Sequence, residues 1–272
     1  MDGQIATLTR QVNQLKTQMA ARTISRPRIE AQHWSQAVSA TLALSGLRGC
    51  WPTSIQGGSP ITLRDISTNA MHMTRAGNPV FHRDGQIFYV YFDGTSDHYY
   101  VADQADLDIL GTESYNATSA RGLSFGCWCN LNAGVDNIYG LMAKWDTTNN
   151  RSYAILINAD EKPVFYLSMN GVAFLTVTSS VALEVNKWYW VAARYDPSNT
   201  MDIFVNTTKT TLDAGVYASV FNSTARLEFG HYTGVDRYLN FDGSLFWLSS
   251  HYLTNAQMTM HFEMTRACYE VY

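Results

Sequence analysis

The residues of this 272-residue chain with the most obvious capacity for chemistry are four cysteines, seven histidines and a scatter of loop carboxylates. Their spacing decides which chemistry is open to them. Cys127 and Cys129 lie two apart in an alternating segment and would face the same side of a strand. No second pair and no His at zinc-finger spacing accompanies them, so reduced core thiols are the expectation rather than a metal pair. Cys50 and Cys268 sit near the two ends of the same region, where a bond or two free thiols fit equally. Gly122-Leu123-Ser124-Phe125-Gly126 spells the nucleophile elbow G-x-S-x-G, yet it opens an apparent strand, and no helical pattern follows to expose the Ser. P-loop, dinucleotide and H-E-x-x-H patterns do not occur, and the histidines are dispersed.

Sugar recognition asks for less: an aromatic face and a few planar polar groups. Two polar stretches supply these. Lys144-Trp145-Asp146 is followed by Asn149, Asn150 and Arg151, and Tyr232 is followed by Asp236, Arg237 and Tyr238. Each is a candidate ligand contact, and each is also what an ordinary loop surface looks like.

The elements that must position these groups read as strands. Aromatics make up 13% of the chain and charged residues only 15%, a composition suited to half-buried pleated surfaces rather than to helices. Short runs rich in Val, Ile, Tyr, Phe and Trp predict strands near Phe88–Phe92, Leu123–Leu131, Tyr139–Lys144, Tyr153–Asn158, Pro163–Met169, Trp188–Tyr195, Met201–Val205, Arg226–His231 and Phe241–Ser250. Turn signals at Asp160–Pro163, Asn170-Gly171 and Asp196–Asn199 separate neighbours by short gaps, which implies antiparallel pairing. In Trp188–Tyr195 neither alternating face is polar, so that strand belongs mid-sheet with both sides covered. The expected fold is all-β: a two-sheet antiparallel jelly-roll sandwich over residues 47–272. The net charge of -4 argues against nucleic acid as a partner. The longest apolar run, Trp188–Ala193, is far too short for a spanning helix, so no membrane insertion is expected.

The first 26 residues differ. Met1, Ile5, Leu8, Val12, Leu15 and Met19 recur in a heptad seam that ends before Pro27, predicting a short coiled coil for oligomerisation or anchoring. Its β-branched and Leu seam positions lean toward two strands; the symmetry imposed by the attached domains and their anchor favours a homotrimer, which is the expectation. Residues 27–46 lack a clean period and read as a connector in which a central helix is possible. With no apolar signal segment after Met1, synthesis in a host cytoplasm is expected.

Five segments taken in order, Tyr91–Tyr100 (YFDGTSDHYY), Leu123–Trp128 (LSFGCW), Trp188–Asp196 (WYWVAARYD), Asp202–Asn206 (DIFVN) and Phe241–Leu248 (FDGSLFWL), resemble laminin G-like jelly rolls of the concanavalin A-like kind. The resemblance covers roughly residues 47–272 and implies a fold used for glycan binding, adhesion and assembly and, in some relatives, glycoside cleavage. The cleaving relatives carry a strand motif E-x-D-x-x-E, because one acid protonates the leaving oxygen while another attacks or activates water. That motif is absent here, so catalysis is not expected. Laminin G-like domains often hold Ca²⁺ near loop carboxylates, which would make Asp93, Asp97 and Asp242 the metal candidates. The alternative is that both Phe-Asp-Gly triplets are tight turns, with Asp bonding the backbone. A coiled coil joined to such a domain also resembles bacteriophage fibre and decoration proteins. The implied role is a virion protein that binds a host-surface glycan or protein, with a purely architectural capsid or tail role as the alternative, and with other virion proteins as partners of the N-terminal segment.

Overall fold

A computed structural model describes residues 33–53, 61–109, 121–147, 149–233 and 237–269. The seam residues Ile5, Leu8, Val12, Leu15 and Met19 lie outside the described residues. Among the described residues sixteen strands form two antiparallel sheets. In the first, β14 (Thr208–Leu212), β13 (Thr200–Val205), β12 (Trp188–Asp196), β7 (Arg121–Leu131), β16 (Asn240–His251), β5 (Ile87–Asp93) and β4 (Val80–Asp84) follow one another, with β1 (Leu47–Trp51) also paired to β16. The second runs β11 (Phe174–Thr178), β10 (Pro163–Ser168), β9 (Arg151–Ile157), β8 (Tyr139–Trp145), β15 (Leu227–Phe229), β6 (His98–Val101), β3 (Met73–Ala76) and β2 (Thr62–Leu63).

The two-residue period of β12 divides its side chains as the sequence implies. Val191, Ala193 and Tyr195 enter the inter-sheet core with Phe125, Cys127, Cys129, Ile155 and Phe165. Trp190 and Ala192 point the other way, into a second core with Trp128, Phe204 and Trp247. Two helices cover that outer face: α1, residues 33–42, in the stretch read as a connector, and α2 (Asn255–Arg266), inside the range expected to be all strand. The seat of α2 explains this departure. Met258, His261, Phe262 and Thr265 share one buried face. Tyr269, just beyond the helix, stacks on Trp128 at 4.1 Å, and Trp128 Nε1 donates to Thr265 Oγ1 at 3.0 Å. A Thr254/Gln257 capping box starts the helix.

β16 serves both cores by means of a bulge. Phe241 faces the inter-sheet core, the register to β7 shifts between Ser244 and Trp247, and beyond the shift Phe246 and Leu248 face that core while Leu245 and Trp247 face the helices. One inserted residue swaps the parity of the strand, with Leu245 held at φ 47°. Phe241-Asp242-Gly243 therefore lies within the first, turnless stretch of β16 and is not the tight turn that its residue types suggest. All four cysteines are free and buried. Burial pushes the Cys268 thiol up to about 12. Ser124, at the centre of the G-x-S-x-G match, is also buried. Its hydroxyl donates to His251 O at 2.8 Å and accepts from Leu253 N at 3.0 Å, clamping β7 to the chain leaving β16. Among the described residues no helix is long and apolar enough to cross a membrane.

His261 gives the second core a pH limit. Thr41 donates to Ala37 O, so the His261 Nε2–H must be the donor in the 2.9 Å contact with Thr41 Oγ1. Burial between Trp190 and Trp247 lowers its pKa from 6.5 to about 3. Between those values the unfolded chain binds the proton and the folded chain does not, so stability falls as pH falls through that window. At 1.36 kcal/mol per pH unit, acidification to pH 5 is expected to cost roughly 2 kcal/mol. Urea denaturation of wild type and His261→Gln at pH 7 and pH 5 checks this: the substitution should reduce the acid-dependent loss by roughly that 2 kcal/mol.

Candidate functional site

The outer face of the second sheet carries a groove of about 220 Å³, and its floor follows from strand register. Ala143 of β8 stands opposite Ala154 of β9, and Ala154 opposite Tyr166 of β10. Both alanines are buried in one cluster with Trp145, Leu156 and Tyr232, and Leu156, two residues on from Ala154, lines the floor of the groove. Trp145 packs edge-on against Tyr166 and Phe174, each at 5.6 Å, and Tyr166 and Phe174 lie 5.4 Å apart. Tyr232, Ile138, Asp146 and Thr233 complete the wall. The Arg151 guanidinium lies over Trp145 at 5.7 Å and over Phe174 at 5.4 Å, and Nη1 donates to Val172 O at 3.0 Å. Its Nε is buried without a hydrogen-bond partner.

These aromatics do not present themselves equally. Trp145 is 5% exposed and Phe174 43% exposed, so Trp145 sets the angle of its neighbours and Phe174 offers a ring to an incoming molecule. Phe174 follows a locked hairpin tip. Asn170 Oδ1 accepts from the Val172 and Ala173 N–H groups, and Asn149 N donates to Gly171 O at 2.9 Å. Gly171 has φ 80°, and a Cβ there would meet Asn149 O at 2.7 Å, so no other residue fits. The 149–151 segment and the hairpin tip thus hold each other, and with them Arg151 and Phe174.

Trp145, Arg151 and Tyr232, predicted on two separate loops, come together in this groove. Asn149 contributes its backbone to the hairpin and is not part of the groove lining. Arg237 donates to Asn137 Oδ1 at 2.6 Å, and its charge lies beside the Tyr232 hydroxyl, whose pKa burial raises. Asp236 is outside the described residues. Phe174 and Tyr166 escape a reading of the sequence aimed at polar loops; the available signal is the alternation Phe174-Leu175-Thr176-Val177-Thr178 after the Asn170-Gly171 turn.

The three calcium candidates are not assembled into one ligand set. Asp93 caps its own turn, accepting from the backbone of Thr95 (2.8 Å), Ser96 (3.0 Å) and Asp97 (3.1 Å), with Gly94 at φ 74°. Burial acts to raise its carboxyl, but these bonds and one from the Thr95 hydroxyl outweigh burial and hold it at about 2. Asp97 accepts from Asn78 N and Asp93 N, and burial raises its carboxyl. Asp242 sits in β16 with Asn130 and Asn132 donating to it, and burial raises it as well. Each carboxylate is occupied by its own local donors. Among the described residues, the set of possible ligands that does converge is His98, Glu228 and His231.

Residues 93–258 match the Laminin G 3 family model, described as concanavalin A-like lectin/glucanases superfamily. No curated protein matches the sequence. Similar solved structures include the binding domain of Paraclostridial Mosquitocidal Protein 1, with TM-score 0.62 and 10% identity over 80% of this chain and 52% of that one. Another is the binding domain of botulinum neurotoxin DC in complex with rat synaptotagmin II, with TM-score 0.61 and 16% identity over 81% and 52%. The same neurotoxin domain in complex with SialylT gives TM-score 0.60 and 17% identity over 81% and 52%. This chain spans about half the length of those structures. At such identities the likeness is one of fold.

Proposed function

We propose, from the premise that the chain belongs to the concanavalin A-like lectin/glucanases superfamily, that it is a non-catalytic attachment module whose aromatic groove on the second sheet takes a host-surface glycan. The observation that carries this is the pairing of Phe174 and Arg151 in a groove lined also by Leu156, an exposed ring and a planar cation held by Trp145 and the Gly171 hairpin. Stacking on an exposed ring and directional hydrogen bonds from a fixed guanidinium are what a sugar needs. A similar fold, the botulinum neurotoxin DC binding domain, seen in complex with rat synaptotagmin II and with SialylT, lends support to a receptor-binding use.

Binding without cleavage fits the same groove. Glycoside hydrolysis calls for two carboxyl groups flanking the bond. Among the described lining residues Asp146 is the carboxylate, and it already accepts from Thr147 N and Asn150 Nδ2. The setting we propose is a virion of bacteriophage type, assembled in the host cytoplasm, with the Ile5–Met19 seam clustering three domains. Clustering would raise weak single-site affinity by roughly 10²-fold or more through avidity.

The test is a glycan array, with host envelopes alongside, probed with wild type, Phe174→Ala and Arg151→Ala. Truncating an anchor worth about 2 kcal/mol lowers affinity about 30-fold, and Phe174 is exposed enough for the fold to survive its loss. Binding that both variants retain would move the site away from this groove. Wild-type silence on every glycan and envelope would instead favour an architectural role in a capsid or tail.

A further inference from the structure

A second site lies on the same outer face, beside the groove and independent of its ligand. The row that runs Tyr166, Ala154, Ala143 across β10, β9 and β8 continues to Glu228 of β15 and Tyr100 of β6. Glu228 is fully buried, and His98 and His231 are nearly so. His98 Nε2 stands 3.8 Å and His231 Nδ1 3.3 Å from Glu228 Oε1. All three ligand atoms fall within 4.8 Å of one another. Thr233 Oγ1 donates to Glu228 Oε2 at 2.8 Å, and Arg226 Nε approaches Oε1 at 2.6 Å from a half-exposed position over Tyr100.

The protonation of His98 exposes what this arrangement lacks. Its Nδ1 lies 3.2 Å from the Ser96 carbonyl, which can only accept, so Nδ1 carries the proton. In the neutral ring Nε2 is then a bare lone pair, buried, without a hydrogen-bond partner and aimed toward a carboxylate oxygen. A buried imidazole lone pair 3.8 Å from a carboxylate oxygen is an arrangement that a shared cation would resolve.

We propose that His98 Nε2, His231 Nδ1 and Glu228 Oε1 bind one divalent cation of the zinc class. Tetrahedral Zn²⁺ with bonds of about 2.1 Å places its ligands about 3.4 Å apart, close to both separations found here. Two imidazoles and one carboxylate match zinc rather than calcium, which takes six to eight oxygens. Around the ligands, the Ser96 carbonyl fixes the His98 ring, Tyr238 stacks on His231 at 4.4 Å and Thr233 holds the carboxylate, the supports that orient metal ligands. Arg226 Nε and the His231 Nδ1 hydrogen bond of 3.3 Å both address Oε1, so the ion would take the place of the His231 proton, and the Arg226 charge moderates the affinity. Because Tyr232 and Thr233 follow His231 directly and line the groove, the ion would brace one groove wall.

Full-length protein stripped with chelator, then titrated with Zn²⁺ and separately with Ca²⁺ in a calorimeter, tests this. One saturable Zn²⁺ per chain is expected, with a raised melting temperature, no response to Ca²⁺, and with Co²⁺ the visible bands of a four-coordinate site. His98→Gln and His231→Gln should each weaken Zn²⁺ binding about 100-fold or more, and so should the isosteric Glu228→Gln if either His variant folds poorly. His82→Gln, a substitution of an exposed histidine, should change nothing. No saturable Zn²⁺ binding by the wild type, or binding that survives the His98, His231 and Glu228 substitutions, would overturn the site. Phe174→Ala should keep its zinc while losing glycan, so the two proposals fail separately.

Discussion

Replacing Arg194 with leucine is expected to lower the unfolding free energy by about 3–5 kcal/mol, because it leaves a carboxylate buried without its counter-ion. Arg194 and Asp202 are each 1% exposed, with Nε donating to Oδ2 at 2.6 Å. The rest of the guanidinium is equally committed. Nη1 donates to Leu253 O at 2.6 Å, Nη2 donates to Asn255 Oδ1, and the plane stacks on Tyr252 at 4.4 Å. Strands β12 and β13 are thereby tied to the point where β16 hands over to α2, and the helix seat should loosen when the tie is cut. Thr211 and Lys209 also reach Asp202, but Lys209 Nζ is 3.7 Å away and partly exposed, too weak a substitute to rescue the charge. Urea unfolding of Arg194→Leu, Asp202→Leu and the double variant decides the matter. The double should cost clearly less than the two singles added, since removing both charges removes the desolvation penalty with them. Additive losses, or a single-variant loss under about 1 kcal/mol, would mean that water reaches the pair.

What could be read from the sequence was whatever local chemistry enforces. β12 announced its central place because Trp190 and Ala192 alternate with Val191, Ala193 and Tyr195, and two apolar faces need two cores. The hairpin turns at Asp160–Pro163, Asn170-Gly171 and Asp196–Asn199 lie where their Gly, Pro and Asn residues put them. α2 was equally local, with a capping box and buried positions at 258, 261, 262 and 265, but two of those positions are His and Thr, which blurs the apolar stripe. The bulge in β16 was hidden because the types in Phe-Asp-Gly suit a turn as well as a strand. The groove was half legible. Trp145, Arg151 and Tyr232 stood out as residue types, yet their meeting depends on the register of β8 with β9 and β15, which no local pattern encodes. Phe174 was invisible for the opposite reason: β11 is an exposed edge strand, and its aromatic looked like an ordinary member of a weak alternation. His98 and Glu228 converge only because β6 and β15 pair.

Lys144 carries the other large effect, and it separates stability from binding. It is a fully buried lysine whose ammonium donates to Asp103 Oδ1 at 2.6 Å, to Ala225 O at 3.0 Å and to Ser223 O, with Asp108 at 3.7 Å. One charge thus gathers the chain after β6 and the chain before β15 onto the end of β8. Lys144→Met, matched in length and free of donors, is expected to cost about 3–4 kcal/mol, toward the lower end for a broken buried pair because Asp103 and Asp108 keep partial access to water. Within β8, however, Lys144 faces the interior, while its neighbours Ala143 and Trp145 belong to the groove side. Folded Lys144→Met protein should therefore bind the groove's ligand within about 3-fold of wild type even as its urea midpoint falls. Ligand affinity measured well below that midpoint tests the separation. A large loss of affinity there would show that the groove depends on the 223–225 carbonyls that Lys144 holds, and that the wall supplied by β15 and Tyr232 is set from inside the sandwich rather than by the aromatic contacts on its surface.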